Sequence, residues 1–365
     1  MTTARGQVET PAFMPVGTQA TVKTLLPSEV SSTGAEILLA NTYHLMLRPG
    51  LETLKAAGGL HQFMGWRGPI LTDSGGFQIF SLASQARVTE SGVTFQSHID
   101  GSRWALEPER AVELQLGWGS DVIMPLDHLV GLPASVRSVR DATERTHRWL
   151  ERSIAAFRQL GGDAGDAGLF GIAQGGMDPD LRAESAWVVA AADVAGCAIG
   201  GLSVGEPKPV MAEILEVVTP ILPRTKPRYL MGVGSPEDLW MGVARGVDLF
   251  DCVLPTRLAR NGALFTPEGR ISIRNRRFAS EHGPVDGECD CLACTEFSAA
   301  YLHHLFRARE VLGLRLASVH NLRFLARQTK VMREAIEFGN FVEAHGNFRS
   351  RYRVVGESRL AEEGG

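Results

Sequence analysis

Cysteine is scarce in this chain and unevenly placed. Only 5 of the 365 residues are cysteine, and Cys289, Cys291 and Cys294 lie together in the short segment ECDCLACT. A disulfide framework would distribute cysteines along the chain, so this pattern predicts a reducing compartment and a metal site rather than disulfides. Cys197 and Cys252 fall inside apolar runs, which predicts core positions for both.

Long apolar runs and an excess of basic residues are also missing. No apolar run reaches the roughly 18 residues that a membrane span needs, and the N-terminal MTTARGQVETPAF has no apolar signal segment. Lys plus Arg is 37 and Asp plus Glu is 41, giving a net charge of −4, which argues against a wholly basic surface but allows a local basic patch. With 44% hydrophobic and 21% charged residues, we expect a cytoplasmic globular protein with no membrane segment.

Short apolar runs that end in Gly, Asp, Asn or Gln recur along residues 1–254, and helical patterns such as Pro179–Ala195 and Met211–Thr219 follow them. Continuous apolar runs of this length are typical of parallel strands that are buried on both faces. Eight such units predict an α/β fold, a (β/α)8 TIM barrel, with an open doubly wound sheet as the alternative. The runs are Ala12–Val16, Ile37–Ala40, Ile70–Thr72, Val122–Leu126, Leu169–Ala173, Cys197–Ile199, Tyr229–Val233 and Leu249–Leu254.

Two regions interrupt this pattern. Ser91–Trp104 alternates in polarity around an Asp-Gly turn, which predicts a β-hairpin inserted after the third run. Residues 255–345 follow the eighth run and contain the cysteine cluster with two helical patterns, so we predict a zinc-binding subdomain there. Residues 346–365 are predicted to form a polar, frayed tail.

Polar side chains follow four of the predicted strands. Asp73, Asp127, Gln174 and Asp251 stand at the carboxyl ends of their runs, where barrel enzymes place their chemistry. A role as turn formers would explain the neighbouring glycines, but it explains the crowding of carboxylates at one rim less well. The pattern therefore predicts a catalytic rim.

The cysteine cluster has the spacing C-x-C-x2-C, which suits three thiolate ligands of one tetrahedral Zn²⁺. The candidates for a fourth ligand are His282, His303, His304 and His320. His320 is favoured because it follows Ser318, which could cap a helix whose first turn faces the cysteine loop. Four protein ligands leave no position for water, so the predicted zinc is structural.

Eight motifs of the chain together resemble the bacterial-type tRNA-guanine transglycosylases, the queuine tRNA-ribosyltransferase family. They are NTYHL at Asn41–Leu45, DSGGFQ at Asp73–Gln78, MPLD ending at Asp127, GIAQGG at Gly171–Gly176, GGLSVGE at Gly200–Glu206, GVGSPED at Gly232–Asp238, FDCVLPTRLARNG at Phe250–Gly262, and C-x-C-x2-C with its histidine. The resemblance implies a zinc-bearing barrel that exchanges guanine at the wobble position of tRNAs with G-U-N anticodons for 7-aminomethyl-7-deazaguanine, a step of queuosine biosynthesis. One departure is His128–Leu129, where bacterial relatives often have Glu-Cys or similar.

Base exchange on one face of a sugar requires two successive displacements and a covalent ribosyl-enzyme. The resemblance implies that Asp251 is the nucleophile and that Asp73 is the general acid/base. It also implies contacts of the incoming base with Leu202–Ser203 near Glu206, and Val204 favours the aminomethyl base over queuine. The substrate-binding set is Asp73, Ser74, Gly75, Gly76, Phe77, Asp127, Gln174, Gly201, Leu202 and Met231.

The predicted tRNA surface combines two motif segments with a local basic patch. The motif segments are Gly232, Val233, Gly234, Ser235, Pro236, Glu237 and Asp238, and then Thr256, Arg257, Leu258, Ala259 and Arg260. The patch adds Arg270, Arg274, Arg276, Arg277, Arg307, Arg309, Arg315, Arg323, Arg327 and Lys330, which could contact phosphates. The resemblance further implies a homodimer, for which Phe63, Phe297, Tyr301 and His304 could supply aromatic contacts.

Two other functions fit parts of the sequence. A hydrolase on the same barrel could use Asp73 and Asp251 on water, although it would not need a basic zinc subdomain. A non-catalytic tRNA-binding subunit would be expected to lose one of the two carboxylates, and both are present.

Overall fold

The computed structural model describes residues 1–131 and 133–354. The strands in this part of the chain are β1 Thr2–Thr3, β2 Gly6–Gln7, β3 Ala12–Pro15, β4 Leu38–Ala40, β5 Ile70–Thr72, β6 Ser84–Val88, β7 Val93–Gln96, β8 Arg103–Leu106, β9 Val122–Ile123, β10 Gly168–Ala173, β11 Gly196–Ile199, β12 Arg228–Leu230, β13 Leu249–Cys252, β14 Ala263–Thr266 and β15 Gly269–Ser272.

The helices alternate with these strands over most of the chain. They are α1 Pro27–Ser32, α2 Thr42–Leu47, α3 Leu51–Ala56, α4 Leu60–Met64, α5 Gly76–Leu82, α6 Pro108–Gly117, α7 Val136–Gln159, α8 Pro179–Ala191, α9 Lys208–Val218, α10 Pro236–Val243, α11 Leu254–Arg260, α12 Leu292–Glu296, α13 Ala299–Ala308, α14 Val311–Glu337 and α15 Phe341–Arg351, with short 3-10 turns at Gly162–Ala164 and Arg276–Ser280.

Eight parallel strands form a closed barrel. Their order is β3-β13-β12-β11-β10-β9-β5-β4, and the two ends of this series meet at a parallel bridge between Val16 and Leu39. The Gly17 N–H donates to the Leu39 carbonyl at 2.6 Å at this closure. The barrel prediction is confirmed, each of the eight predicted runs overlaps one of its strands, and the open sheet is excluded.

Both faces of the barrel strands are buried, which explains their continuous apolar sequences. Along β3, Met14 packs in the barrel interior while Phe13 packs in the layer between strands and helices. Along β4, Leu39 packs in the barrel interior and Leu38 packs against the helices, because successive strand side chains point to opposite faces.

The predicted hairpin is present as β7 and β8, which pair antiparallel from Val93–Leu106 to Gln96–Arg103. Gly101 has φ of 73° in the connecting turn, a conformation that favours glycine. The structure adds a third strand, β6, which the polar sequence SQARV did not reveal.

The region after β13 packs onto the barrel through α14. This helix contacts α11, α12 and α13 as well as β14, β3 and α10. Residue 255, the predicted start of the subdomain, lies in α11, and the predicted tail boundary at 345 lies inside α15. Tyr352 is buried against the same core, and residues 355–365 of the predicted tail lie outside the described residues.

Among the described residues, no helix is both long enough and apolar enough to cross a membrane.

Candidate active site

A cavity of about 780 Å³ opens at the carboxyl ends of the barrel strands. Asp73, Asp127 and Asp251 line it, following β5, β9 and lying on β13. Gln174, after β10, stands directly behind Asp127 and donates from Nε2 to its Oδ2 at 2.7 Å. Three of the four side chains that were predicted to share one rim therefore line one cavity, and the fourth, Gln174, is hydrogen-bonded to one of them.

Asp73 is a buried carboxylate held by four donors. Oδ2 accepts from Asn41 Nδ2 at 2.6 Å and from Gln78 Nε2 at 2.9 Å, and Oδ1 accepts from the N–H groups of Thr42 and Gly75 at 2.8 and 3.1 Å. Burial raises the pKa of Asp73 to about 6, the charge of Asp251 adds to this, and the hydrogen bonds oppose it. The group is thus poised to exchange a proton near neutral pH.

Asp251 is supported from one side only. Its Oδ1 accepts from the Tyr229 hydroxyl at 2.6 Å and from the Gly232 N–H at 2.7 Å. No hydrogen bond reaches Oδ2 from the described residues, so this oxygen is available to the cavity. Burial raises the pKa of Asp251, and the two donors oppose the shift by favouring the ionised form.

Asp127 forms the polar floor of the cavity with Ser74 and Gln174. The Ser74 hydroxyl donates to Oδ1 at 2.7 Å while Gln174 occupies Oδ2. Burial raises the pKa of Asp127 and these two bonds lower it. Ser74 and Gln174 thus fix a carboxylate that lines the cavity, and a carboxylate suits a ligand with adjacent donors.

Two glycines are required by this close packing. A Cβ at Gly76 would lie 2.8 Å from Asp127 Oδ1, and one at Gly201 would lie 2.4 Å from Gln174 Oε1. Gly201 also has φ of 67°. Side chains at these positions would collide with the polar floor, so the glycines permit the backbone to border the cavity.

The remaining predicted base-binding residues surround this floor. Leu202 and Met231 line the cavity, and the Phe77 ring at its mouth is 50% exposed. Glu206 accepts from the N–H groups of Ser203 and Val204, which fixes the loop after β11. Gly75 is the N-cap residue of α5 and supports Asp73 through its N–H.

The predicted RNA-binding residues divide between the cavity rim and the interior. Val233, Pro236 and Ala259 are buried, while Glu237 and Leu258 lie outside the cavity wall. Ser235 caps α10 by accepting from the Asp238 N–H. Those at the rim are Gly232, Gly234, Ser235, Asp238, Thr256, Arg257 and Arg260.

The predicted basic patch also divides in two. Four of its members form ion pairs inside the chain: Arg315 with Glu29, Arg323 with Asp290, Arg327 with Asp286, and Lys330 with Glu334. The others are exposed and have no ion pair within residues 1–131 and 133–354; they are Arg270, Arg274, Arg276, Arg277, Arg307 and Arg309.

The cysteine cluster and His320 come together as predicted. The ligand atoms of Cys289, Cys291, Cys294 and His320 all lie within 4.8 Å of one another, and all four residues are buried. His320 Nδ1 is 3.3 Å from Cys294 Sγ, while Nε2 lies 2.7 Å from the Phe265 carbonyl oxygen. A proton on Nε2 therefore leaves Nδ1 free to bind a metal, which is the usual support of a histidine ligand.

The local reason given for His320 was wrong. Ser318 does not cap a helix, because α14 begins at Val311 and places both residues in its interior. The Ser318 hydroxyl bonds back to the Leu314 carbonyl at 2.7 Å. His303, one of the alternatives, instead approaches the Ile273 carbonyl oxygen at 2.8 Å.

Sequence reasoning missed several residues that build the site. Asn41 and Gln78 hold Asp73, Tyr229 holds Asp251, and Arg182 holds the loop carbonyls behind Gly201. NTYHL and DSGGFQ contain the first two, so the motifs carried that signal. Cys197 is fully buried as predicted, whereas Cys252 is only partly buried, packing against the core and also lining the cavity.

A closed parallel barrel with buried carboxylates around one cavity at its carboxyl end has the architecture of a (β/α)8 enzyme. The chain belongs to the queuine tRNA-ribosyltransferase family, which it matches over residues 1–354. It is 57% identical to the queuine tRNA-ribosyltransferase of Herpetosiphon aurantiacus over 97% of this chain and 89% of that protein. The proteins of the same name from Desulforudis audaxviator and Symbiobacterium thermophilum are 56% and 53% identical, covering 93% and 99% of this chain and 91% and 89% of their own lengths.

Proposed function

We propose that this chain is a tRNA-guanine transglycosylase, a pentosyltransferase that replaces the wobble guanine of tRNAs with G-U-N anticodons by 7-aminomethyl-7-deazaguanine in queuosine biosynthesis. The observation that carries the proposal is the pairing of Asp73 and Asp251, two differently supported carboxylates, at one cavity in a chain of this family. The cavity volume lies within the range of small-molecule sites.

Asp251 is the proposed nucleophile. Its Oδ1 is held by Tyr229 and Gly232, and Oδ2 attacks C1′ of the target nucleotide as the C1′–N9 bond breaks. The product is a ribosyl ester of Asp251 and free guanine. Attack by N9 of the incoming base then releases the carboxylate, so two inversions retain the configuration at C1′.

Asp73 is the proposed acid/base. The departing guanine gains a proton as its bond to C1′ breaks, and the incoming base loses one as its own bond forms. A carboxyl with a pKa of about 6 can perform both transfers near neutral pH. Gln78 and Asn41 fix its orientation toward the cavity.

The polar floor explains the choice of guanine. Asp127 accepts from the N1 and N2 donors, and Gln174 with the Gly201 N–H donates to the acceptor edge that includes O6. Adenine would leave these buried groups unpaired, which a polar pocket penalises heavily. We place the aminomethyl group beside Leu202–Ser203 and Glu206, with Met231 stacked on the base and the wobble nucleotide splayed out of its loop.

The Cys3His cluster fits a structural zinc. Three thiolates and one imidazole complete a tetrahedral set, with Nε2 of His320 already engaged by Phe265. Zinc would tie the cysteine loop to α14, so residues 255–345 would form the tRNA-contacting part beside the catalytic residues 1–254. We further propose a homodimer in the cytoplasm, with the exposed Phe63, Tyr301 and His304 and the neighbouring Phe297 as interface candidates.

The test is incorporation of radiolabelled guanine into purified tRNA with a G-U-N anticodon. Asp251→Asn should lose at least about 10³-fold in rate and form no denaturation-resistant enzyme–tRNA adduct, because a neutral amide is a poor nucleophile. Asp248→Asn, a carboxylate at the opposite end of β13, is the matched control. Release of guanine without exchange would favour the hydrolase, and an adduct that persists in Asp251→Asn would reassign the nucleophile.

A further inference from the structure

Arg182 is an arginine that is fully buried without a carboxylate partner. It lies in the first turn of α8, its side chain is 0% exposed, and no ion pair to it occurs within the described residues. Burial lowers the pKa of Arg182 to about 10, with the charge of Glu206 opposing this. Burying a cation without a carboxylate costs free energy, so the burial of Arg182 needs a compensating set of contacts.

All four side-chain hydrogen bonds of Arg182 go to backbone carbonyls at the ends of two neighbouring barrel strands. Nε donates to Gly176 at 2.8 Å and Nη1 to Ala173 at 3.2 Å, both at the end of β10. Nη1 also donates to Gly200 at 2.7 Å and Nη2 to Gly201 at 3.2 Å, after the end of β11. The guanidinium therefore joins the Gln174 segment to the Gly201 segment.

These contacts fix the direction of two N–H groups. In a trans peptide the C=O and the N–H point in opposite directions, so a Gly200 carbonyl turned to Arg182 directs the Gly201 N–H away from it. The Gly201 carbonyl directs the Leu202 N–H in the same way. Neither N–H donates a hydrogen bond to any described residue, and Gly200, Gly201 and Leu202 all line the cavity.

We propose that Arg182 is the positioning residue that makes this pocket specific for a 6-oxo base. It holds the Gly200–Gly201 and Gly201–Leu202 peptides with their N–H groups toward the base and their carbonyls away from it. Its charge also polarises both peptides, which strengthens them as donors to an oxygen that gains negative charge as guanine leaves. The inference rests on the proposed base exchange for the identity of the ligand.

Without Arg182 the Gly200–Gly201 peptide is free to rotate, because both glycines accept a wide range of backbone angles. Rotation would turn a carbonyl toward the base in place of an N–H. A carbonyl repels O6 of guanine but accepts from the 6-amino group of 2,6-diaminopurine, whose N2 group can still meet Asp127. Loss of Arg182 should therefore change selectivity as well as affinity.

The experiment measures binding of free guanine and free 2,6-diaminopurine by competition and calorimetry, together with kcat and KM for the base in guanine exchange. Arg182→Met should weaken guanine binding by roughly 10-fold or more and lower the guanine preference over 2,6-diaminopurine by a similar factor. The rise in KM should exceed the fall in kcat. Arg182→Lys should lie between, because one ammonium cannot reach the carbonyls of both strand ends.

Arg228 provides the matched control. Among the described residues, its guanidinium also bonds only backbone carbonyls, Leu222 at 2.6 Å and Gly246 at 3.4 Å, but at the other end of the barrel. Arg228→Met should lower stability and leave the base preference unchanged. The proposal would be overturned by a folded Arg182→Met variant that keeps the wild-type preference for guanine over 2,6-diaminopurine, or by an equal change of that preference in Arg228→Met. If Arg182→Met fails to fold, an unchanged preference in Arg182→Lys would overturn it.

The two proposals fail in different ways. Wild-type protein that binds guanine but exchanges none into tRNA would refute the transglycosylase and still permit the Arg182 measurement. Wild-type protein that exchanges guanine, with Arg182 variants that discriminate as it does, would refute only the positioning role. Wild-type protein that binds neither base would refute both.

Discussion

Asp73 and Asp251 share a cavity but not an environment. Asp73 accepts hydrogen bonds on both oxygens, whereas Asp251 accepts its two bonds on Oδ1 alone. Burial raises the pKa of both acids, and the negative charge of Asp251 raises that of Asp73 further. The negative charge of Asp251 therefore favours the protonated state of Asp73, which separates a nucleophile from an acid/base.

The pKa of Asp73 gives the two half-reactions opposite pH dependences. Adduct formation needs a proton for guanine and should become faster as pH falls toward about 6, until Asp251 itself takes up a proton. Resolution by the incoming base needs ionised Asp73 and should become faster as pH rises through about 6. Rapid-quench measurement of the rate of each half-reaction from about pH 5 to about pH 8, which brackets the pKa of Asp73, tests these opposite dependences.

Asp73→Asn should abolish both slopes while retaining tRNA binding, since Asp127 and Gln174 carry base recognition. Ser74→Ala, which removes a neighbouring hydroxyl from Asp127 but leaves Asp73 intact, should keep the opposite slopes. If both half-reactions rise together with pH in the wild type, Asp73 is not the shared proton donor and acceptor.

Most acids of the site could be predicted because their type and their place at strand ends both point to chemistry. Arg182 could not, since one arginine in the amphipathic sequence PDLRAESA has the pattern of a surface helix residue. Its burial arises only when the ends of β10 and β11 present four carbonyls to it. That arrangement is tertiary and leaves no mark in local spacing.

At the level of elements, the barrel strands could be predicted because they are continuously buried. The ends of the helices could not be predicted. The long helix α14 runs from Val311 to Glu337, and its N-cap, Glu310, makes no side-chain capping bond. The true start of α14 therefore has no capping residue of the usual type, whereas Ser318, in the interior of the helix, resembles one. The tail was likewise predicted from polarity, although α15 stacks Phe348 on Trp240 with ring centroids 5.3 Å apart.

The metal cluster joins α12 and the loop before it to α14, and its loss should affect the fold before the chemistry. We expect His320→Ala to release the metal and to lower the thermal midpoint of unfolding substantially, because the metal loses the ligand that α14 supplies. Elemental analysis of protein purified without added metal, with melting curves, measures both effects. Zinc at one equivalent per chain in the wild type is the expected reference.

His303→Ala is the control for this change, since His303 lies on the adjacent α13 and bonds a carbonyl oxygen instead of facing the thiols. It should retain full metal content. A wild-type protein that is folded and active without any metal, or a His320→Ala variant with full metal content, would contradict the assignment.

For the whole molecule, the net charge of −4 leaves room for a local group of arginines beside the cavity. Arg257 and Arg260 border the cavity at α11, and Arg274 continues this surface by donating to the Asn261 carbonyl and lying over the Phe306 ring. Arg274 thus lies next to the arginines of α11, and Arg276 and Arg277, which follow it closely in the chain, are exposed and have no ion pair to any described residue. Which arginines form ion pairs depends on tertiary contacts, so the sequence alone could not separate the paired arginines from the others.

This distribution predicts which arginines set the salt dependence of tRNA binding. Replacing Arg274, Arg276 and Arg277 together by Gln should weaken binding at low salt and reduce the slope of log K against log salt by up to about 2 to 3, at roughly 0.7 to 0.9 for each of the three phosphate contacts. The control replaces Arg110, Arg140 and Arg158, exposed arginines on α6 and α7 that are ion-paired with Glu113, Glu184 and Asp193. Filter binding across a salt series should leave the slope of this control unchanged, because its cations lie on the outer barrel helices. Equal slopes for wild type and both variants would mean that the phosphates are met elsewhere, and equal losses in both variants would mean that binding follows net charge rather than this surface.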